Sequence, residues 1–415
     1  MNSWRIGTAV SGAGLSVLLC MMPVSAAYAD TPRSWESRAL GLSSAQRVTQ
    51  GEGIKVAVLD TGVVKDHPAL AGKVTTGADF VKDESRPGDP GWGDHGTAMA
   101  SDVLKVAPRA HILSVRAIDE KGHSPALGRH TTPITEGIDY ALKHDADVIS
   151  MSMGGDSFGN SFDERETKAL ARASHARVPV VASAGNDAEV LNDSIYPAAY
   201  PGVIAVAAVQ EGGKRAEFST VRTYNAVAAP GVDIVSAKNT GGYELVDGTS
   251  PAAALTSGVV ALMLAENKKL SPAQVRSILA KTATHPPGGP NPLVGHGTIN
   301  AAAAVRSAAR PPADGTAAAS FEGKKHLAKP NGVSPTQQPP LDTVGLTVGL
   351  IAAVVGLGMV IVAIRIFRVG GRRGAVAAAT GPAGAVGYVY PPGQAPGYGI
   401  PQQQPTARPQ QPPYS

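Results

Sequence analysis

Residues 54–62 read Ile-Lys-Val-Ala-Val-Leu-Asp-Thr-Gly. A short run that is apolar toward both sides and closed by Asp-Thr-Gly is the pattern of a strand covered on both faces, as in a parallel sheet. Four further runs have the same character: His111–Ala117, Asp147–Met151, Pro179–Ala184 and Val203–Ala208. With Ile54–Asp60 they predict five buried strands. Helical patterns lie between and after them, at His95–Leu104, Pro133–His144, Asp163–His175, Pro251–Ala265 and Pro272–Ala283. Strands alternating with helices predict an α/β fold, a mostly parallel sheet with helices on both faces. Ser250-Pro251 and Ser271-Pro272 each read as a capping side chain followed by Pro at the first helical position.

Composition narrows the classes outward from this core. The chain has 415 residues, 43% hydrophobic and 17% charged, which suits one large core with appendages. The net charge of +4 is modest and no Lys/Arg run forms a stripe, so no nucleic-acid partner is expected. Cys20 is the single cysteine, which excludes a disulfide framework and a cysteine zinc site.

In open α/β sheets, ligands sit beyond the carboxyl ends of the strands. Asp60 closes the first strand, and Ser183-Ala184-Gly185-Asn186-Asp187 ends the Pro179 run. Two helix starts carry His95-Gly96-Thr97 and Gly248-Thr249-Ser250. A serine hydroxyl becomes a nucleophile when a base removes its proton, and an imidazole titrates in the right range. Asp60 is the candidate to hold the other ring nitrogen of His95, and Ser250 is the candidate nucleophile. The Asn186 amide and the Ser250 backbone N–H are the candidate donors to an oxyanion. Taken singly, each residue reads equally well as a turn, a cap or a surface side chain. The ordered set is what points to chemistry.

These stretches resemble the subtilisin-like serine proteases. The resemblance runs from about Gly51 to Ala304, on "VAVLDTGV" (56–63), "GDHGTAMA" (93–100), "VVASAGND" (180–187) and "DGTSPAAA" (247–254), with support at 149–155, 196–209 and 228–237. It implies that Asp60, His95 and Ser250 form a catalytic triad and that Asn186 completes the oxyanion hole. It further implies that an extended substrate lies along Ser150–Gly155, touching Ser150, Ser152, Met153 and Gly154, with Ala182, Ser183, Ala184 and Gly185 as the facing wall. The chain departs from the family where Ala254 occupies a position usually held by Pro, while Pro251 follows the serine directly. Both are read as first-turn positions, where Pro is tolerated.

The ends of the chain predict a membrane topology. Residues 1–29 read as an export signal, with Arg5, an apolar stretch and Ala27-Tyr28-Ala29 before Asp30. Residues 30–50 form a short extension, 51–306 the catalytic domain and 307–341 a Pro/Ala-rich stalk. No charged residue occurs from Thr343 to Ile364, so residues 342–367 are expected to cross a bilayer. Arg365, Arg368, Arg372 and Arg373 place the 368–415 tail, rich in Pro, Gly and Gln, on the cytoplasmic side and the domain outside. This layout resembles the mycosins, membrane-anchored subtilisin-like proteases of type VII secretion systems. Protein or peptide substrates and secretion-system membrane components are then the implied partners. The alternative function is a catalytically weak or inactive scaffold that stabilises a membrane secretion complex.

No cofactor and no metal site are expected. The acidic residues Asp79, Asp83, Glu84, Asp89 and Asp94 lack EF-hand spacing and read as a solvated loop. His67, His111, His123, His130 and His144 show no metal-ligand spacing.

Overall fold

The computed structural model describes residues 34–121, 131–154, 162–314 and 343–377. The expected signal peptide and most of the expected stalk and tail lie outside these residues, as do Gly155, His123 and His130.

In chain order the elements are α1 (Trp35–Leu40), α2 (Leu42–Ala45), β1 (Lys55–Asp60), β2 (Val74–Asp79), α3 (Asp94–Val106), β3 (His111–Arg116), α4 (Pro133–Lys143) and β4 (Val148–Met151). There follow α5 (Glu164–His175), β5 (Val180–Ser183), β6 (Ile204–Val209), β7 (Asn225–Pro230), β8 (Ile234–Ala237) and β9 (Tyr243–Val246). Then come α6 (Thr249–Glu266), α7 (Pro272–Thr282), α8 (Ala301–Ala308) and α9 (Thr343–Ala377).

Seven strands form one sheet in the order β2-β3-β1-β4-β5-β6-β7. Their pairings are all parallel. Alternation along β1 explains the two apolar layers. Val56 and Val58 join the core that holds α3 and α6, while Ala57 and Leu59 join the one that holds α4 and α5. The α/β expectation and all five expected strands hold. The unexpected strands carry weak signals: β2 (VTTGAD) is an edge strand with four of its six residues polar or glycine, and β7 (NAVAAP) ends in a proline. β8 and β9 pair antiparallel as a separate hairpin.

Helix starts follow the sequence cues. Ser271 caps α7 with a full capping box around Gln274 and Pro272. Thr132 caps α4 and Asp163 caps α5. At α6 the expected cap is corrected. The helix starts at Thr249 with Gly248 at the cap position, so Ser250 lies inside the first turn and caps nothing. Pro251 is also in that first turn, where its missing N–H costs no helix bond. Ala254 is in the second turn, not the first as expected, and its own N–H belongs to the unbroken ladder.

Residues 34–50 are part of the domain. Leu40, Leu42 and Ala45 are buried in the main core, and the Trp35 indole donates to the Val232 carbonyl at 3.0 Å. Gln46 donates to the Lys105 and Val106 carbonyls at 2.9 Å, at the end of α3 some ~15 Å along the axis from His95. At the other end, α8 runs to Ala308 and residues 312 and 314 accept hydrogen bonds from Gln274 and Ser271. The folded domain therefore continues past the expected boundary at 306.

Among the described residues, two helices are long and apolar enough to cross a membrane. One is α6, which is 83% buried within the domain. The other is Gly345–Arg365 of α9, with mean hydropathy 2.6 and none of it buried. This apolar helix lies within the 342–367 stretch read from the sequence as long enough to cross a bilayer.

Candidate active site

The site is built where β1, β3, β4 and β5 end and where α3 and α6 begin. Asp60, the last residue of β1, is fully buried. Its Oδ1 accepts from the Thr61 backbone N–H at 2.8 Å and from His95 Nδ1 at 2.7 Å. The imidazole itself is open to the cleft, with 37% of the side chain exposed. Burial works against a charged ring here, but the Asp60 charge and hydrogen bond, with Asp102 and Asp94 behind, outweigh it. The His95 pKa is raised above its ordinary value.

The glycine after His95 is a steric necessity. A Cβ at Gly96 would sit 2.0 Å from the Gly62 carbonyl oxygen and 3.2 Å from Asp60 Cβ. Around it, Gly96 N–H donates to Thr61 Oγ1 at 3.1 Å and Val64 N–H donates to Thr97 Oγ1 at 2.9 Å. Asp-Thr-Gly and His-Gly-Thr are thus two halves of one interlocked turn.

Ser250 faces the same cleft from α6. Its hydroxyl donates to the Ser152 carbonyl at 3.3 Å, and Ser152 Oγ donates to the Ser250 carbonyl at 3.0 Å. The hydroxyl is hydrogen-bonded to Ser152 rather than to His95. In the first helical turn the Ser250 N–H has no intrahelical acceptor. Asn186 is fixed beside it. Its Oδ1 accepts from both the backbone N–H and the hydroxyl of Thr249, each at 2.9 Å. With Oδ1 engaged, the Asn186 NH2 is the end left for the cleft.

One cavity is lined by Thr61, His95, Ile118, Glu120, Ser152, Met153, Gly154, Ser183, Gly185, Asn186, Thr249 and Ser250. The expected residues Asp60, His95, Ser250 and Asn186 are therefore brought together, with Asp60 behind the imidazole. Of the expected substrate-binding residues, Ser152, Met153, Gly154, Ser183 and Gly185 line the cavity. Ser150, Ala182 and Ala184 do not. Ser150 is buried mid-strand, paired to both β1 and β5, and its Oγ accepts from Ser257 at 2.9 Å. A strand with both edges occupied cannot accept a peptide; the opening begins at residue 152. Ala182 and Ala184 are fully buried and back the wall. Ser183 Oγ donates to the Met153 carbonyl at 3.0 Å, joining the two walls.

Thr61, Ile118, Glu120 and Thr249 line the site without having been singled out in the sequence. Glu120 lies just beyond β3, at the kind of strand end where ligands sit, but no motif marks it. The acidic loop is largely spent: Arg116 is bonded to Asp79 at 3.2 Å and to Asp83 at 2.8 and 2.9 Å. Among the described residues no group of three His, Cys, Asp or Glu side chains could hold a metal. His67 is a staple, its Nε2 2.8 Å from the Gly242 carbonyl and its Nδ1 accepting from Ala69 N–H.

A carboxylate, an imidazole and a hydroxyl at the rim of a parallel sheet define a serine-hydrolase site on a subtilisin-like fold. The family comparison agrees: the Subtilase family, Peptidase_S8, matches residues 51–298. The chain belongs to this family, a class of serine endopeptidases. It is 37% identical over 267 residues to Subtilisin NAT of Bacillus subtilis subsp. natto, a match that covers 62% of this chain and 66% of that protein, just under two thirds of it. It is also 37% identical over 266 residues to Subtilisin DY of Bacillus licheniformis, covering 62% of this chain and 92% of that one. Among solved structures, MycP1 with its N-terminal propeptide removed matches with TM-score 0.55 and 26% identity, over 66% of this chain and 96% of that chain.

Proposed function

We propose that this chain is a membrane-anchored, extracytoplasmic serine endopeptidase that cleaves proteins through an acyl-enzyme. The observation that carries the reading is the 2.7 Å bond between Asp60 and His95 in a cleft shared with Ser250 and Asn186. In this mechanism Ser250 Oγ rotates from Ser152 to His95 and attacks the scissile carbonyl as His95 Nε2 takes its proton. Asp60 holds Nδ1–H, fixes the tautomer and stabilises the imidazolium. The carbonyl oxygen gains negative charge between the Asn186 NH2 and the Ser250 N–H, both set in place beforehand. His95 then returns the proton to the leaving amine, and water repeats the sequence to release the acyl group.

The apolar Gly345–Arg365 stretch, its arginine flank and the leader-like first 29 residues support an anchored enzyme with its domain outside the cell. The similarity to MycP1 and the layout of the chain favour work alongside type VII secretion components. The test is labelling of the detergent-solubilised protein with a fluorophosphonate probe. Labelling that vanishes in Ser250→Ala supports the endopeptidase. An unlabelled wild-type protein that cleaves no protein or peptide substrate refutes it. In subtilisin, loss of the nucleophile costs on the order of 10⁶ in turnover, and the same scale is expected here by family membership.

A further inference from the structure

Glu120 is the one acidic side chain among the residues lining the cleft, and the proposed mechanism gives it no part. Its side chain is 28% exposed. Its Oε1 accepts from the Gly93 N–H at 3.1 Å, two residues before His95, and lies 3.5 Å from the Arg116 guanidinium. That guanidinium does not neutralise it alone. Arg116 also holds Asp79 and Asp83 and donates Nε–H to the Thr61 carbonyl at 3.1 Å. Three carboxylates share one buried guanidinium. Arg86 donates to the Asp83 backbone carbonyl at 3.0 Å, and Lys121 is exposed to solvent. The cleft wall at Glu120 therefore carries net negative charge.

The sheet order fixes which part of a substrate meets this charge. Across the rim the strand ends run β3, β1, β4, β5, bearing in turn Ile118 and Glu120, then Asp60 and Thr61, then Ser152–Gly154, then Ser183–Asn186. At about 4.8 Å per strand, Glu120 stands roughly 14 Å from the Ser183–Asn186 wall. An extended peptide alternates its side chains. The residue whose carbonyl is attacked points its side chain to the Ser183–Gly185 wall. The residue before it points the other way, toward Thr61, Ile118 and Glu120.

The geometry points to Glu120 as a specificity-determining residue that selects a lysine or arginine immediately before the residue at the cut. Ile118, buried beside it, packs against the aliphatic stem of such a side chain while the cation reaches the carboxylate. This inference rests on the endopeptidase reading.

The test uses the full chain in detergent and a set of peptides identical except for Lys, Gln or Glu at that position. The expected kcat/KM ratio of Lys to Gln is about tenfold, the scale of a charge-assisted hydrogen bond, and Glu is cleaved more slowly than Gln. The ratio narrows with added salt. Glu120→Gln brings it close to one. The ratio compares two substrates of the same variant, so partial loss of overall rate does not disturb it, and the wild-type salt series stands without any variant. Cleavage of all three peptides at equal rates overturns the inference and leaves the endopeptidase intact. So does a lysine preference that survives Glu120→Gln or belongs to a different position. Absence of any cleavage and of fluorophosphonate labelling overturns both.

Discussion

Thr249 holds Asn186 in place, and its removal should damage catalysis without touching substrate. The Thr249 hydroxyl donates to Asn186 Oδ1 at 2.9 Å and accepts from the Gly185 N–H at 3.1 Å. The Thr249 backbone N–H makes the other bond to Oδ1 and survives substitution. Thr249→Ala therefore removes one of two tethers on the amide and leaves a buried N–H without its partner. Complete loss of an oxyanion donor costs about 10²–10³ in kcat, the magnitude known for the equivalent asparagine of subtilisin. With half the tether intact, a neutral hydrogen bond's worth of about 1–1.5 kcal/mol is expected, or close to tenfold in kcat. KM should stay near its wild-type value, because the amide acts on the transition state rather than on the bound peptide. The unpaired Gly185 N–H should lower stability by a further ~1–3 kcal/mol, read by urea unfolding. The assay is steady-state cleavage of a chromogenic peptide by Thr249→Ala, Thr249→Ser, Asn186→Ala and the Thr249→Ala/Asn186→Ala pair. Thr249→Ser keeps the hydroxyl and should recover most of the rate. Once Asn186 is alanine, removing the Thr249 hydroxyl should cost little more. If the two losses instead multiply in full, Thr249 does not act through Asn186 and the reasoning fails.

Three other outcomes are expected. First, His95 must be neutral to accept a proton, and Asp60 raises its pKa, so kcat/KM should fall on acidification with a midpoint above that of an ordinary histidine. Asp60→Asn should move the midpoint down and cut kcat by about 10⁴, as in other triads; a pH–rate profile of both proteins checks this. Second, burial pushes the Asp102 carboxyl up to about 6, against the Lys105 ammonium 3.3 Å away and the Ser236 hydroxyl. Its native pKa lies above its unfolded one, so the native state binds the extra proton and this group's stabilisation is lost as pH rises from about 4 to 6. Asp102→Asn should remove a pH dependence on the order of 2 kcal/mol between urea unfolding at pH 4.5 and at pH 8, and an equal difference in both proteins would disprove it. Third, Gly96→Ala drives a Cβ to 2.0 Å from the Gly62 carbonyl, so at least about 3 kcal/mol of stability and most of the activity should go. An active Gly96→Ala protein with an unchanged melting temperature would contradict the interlocked turn.

How much was legible in the sequence differs by element. The five central strands and their helices were readable because each is buried on both faces or along one stripe, so its apolar period is imposed locally. β2 was not, because an edge strand gains its pairing from a neighbour and needs little apolar signal of its own, and β7, although buried, was not, because its alanines and closing proline mark a strand weakly. The apolar helix at 345–365 was readable for a similar reason, since a long apolar run is a property of a single segment.

The proposed roles of Asp60, His95, Asn186 and Ser250 likewise rest on local words, each a strand end or helix start with small residues around it. Gly96 shows why such words exist: the position admits no side chain once Gly62 and Asp60 close upon it. Ser150, Ala182 and Ala184 do not line the cavity, for the converse reason. A motif names a stretch, and only the pairing of β4 between β1 and β5 decides that the open edge starts at residue 152. Glu120 and Thr249 were invisible as site residues because their importance comes from what they meet across the fold, Arg116 and Gly93 for one, Asn186 and Gly185 for the other. The chain by itself determined the central strands, the longer helices and the reactive groups near their ends, since these depend on interactions between near neighbours. Tertiary structure alone decided which side chains line the cleft, which way the Ser250 hydroxyl and the Asn186 amide point, and where negative charge collects, because these depend on contacts between residues far apart along the chain.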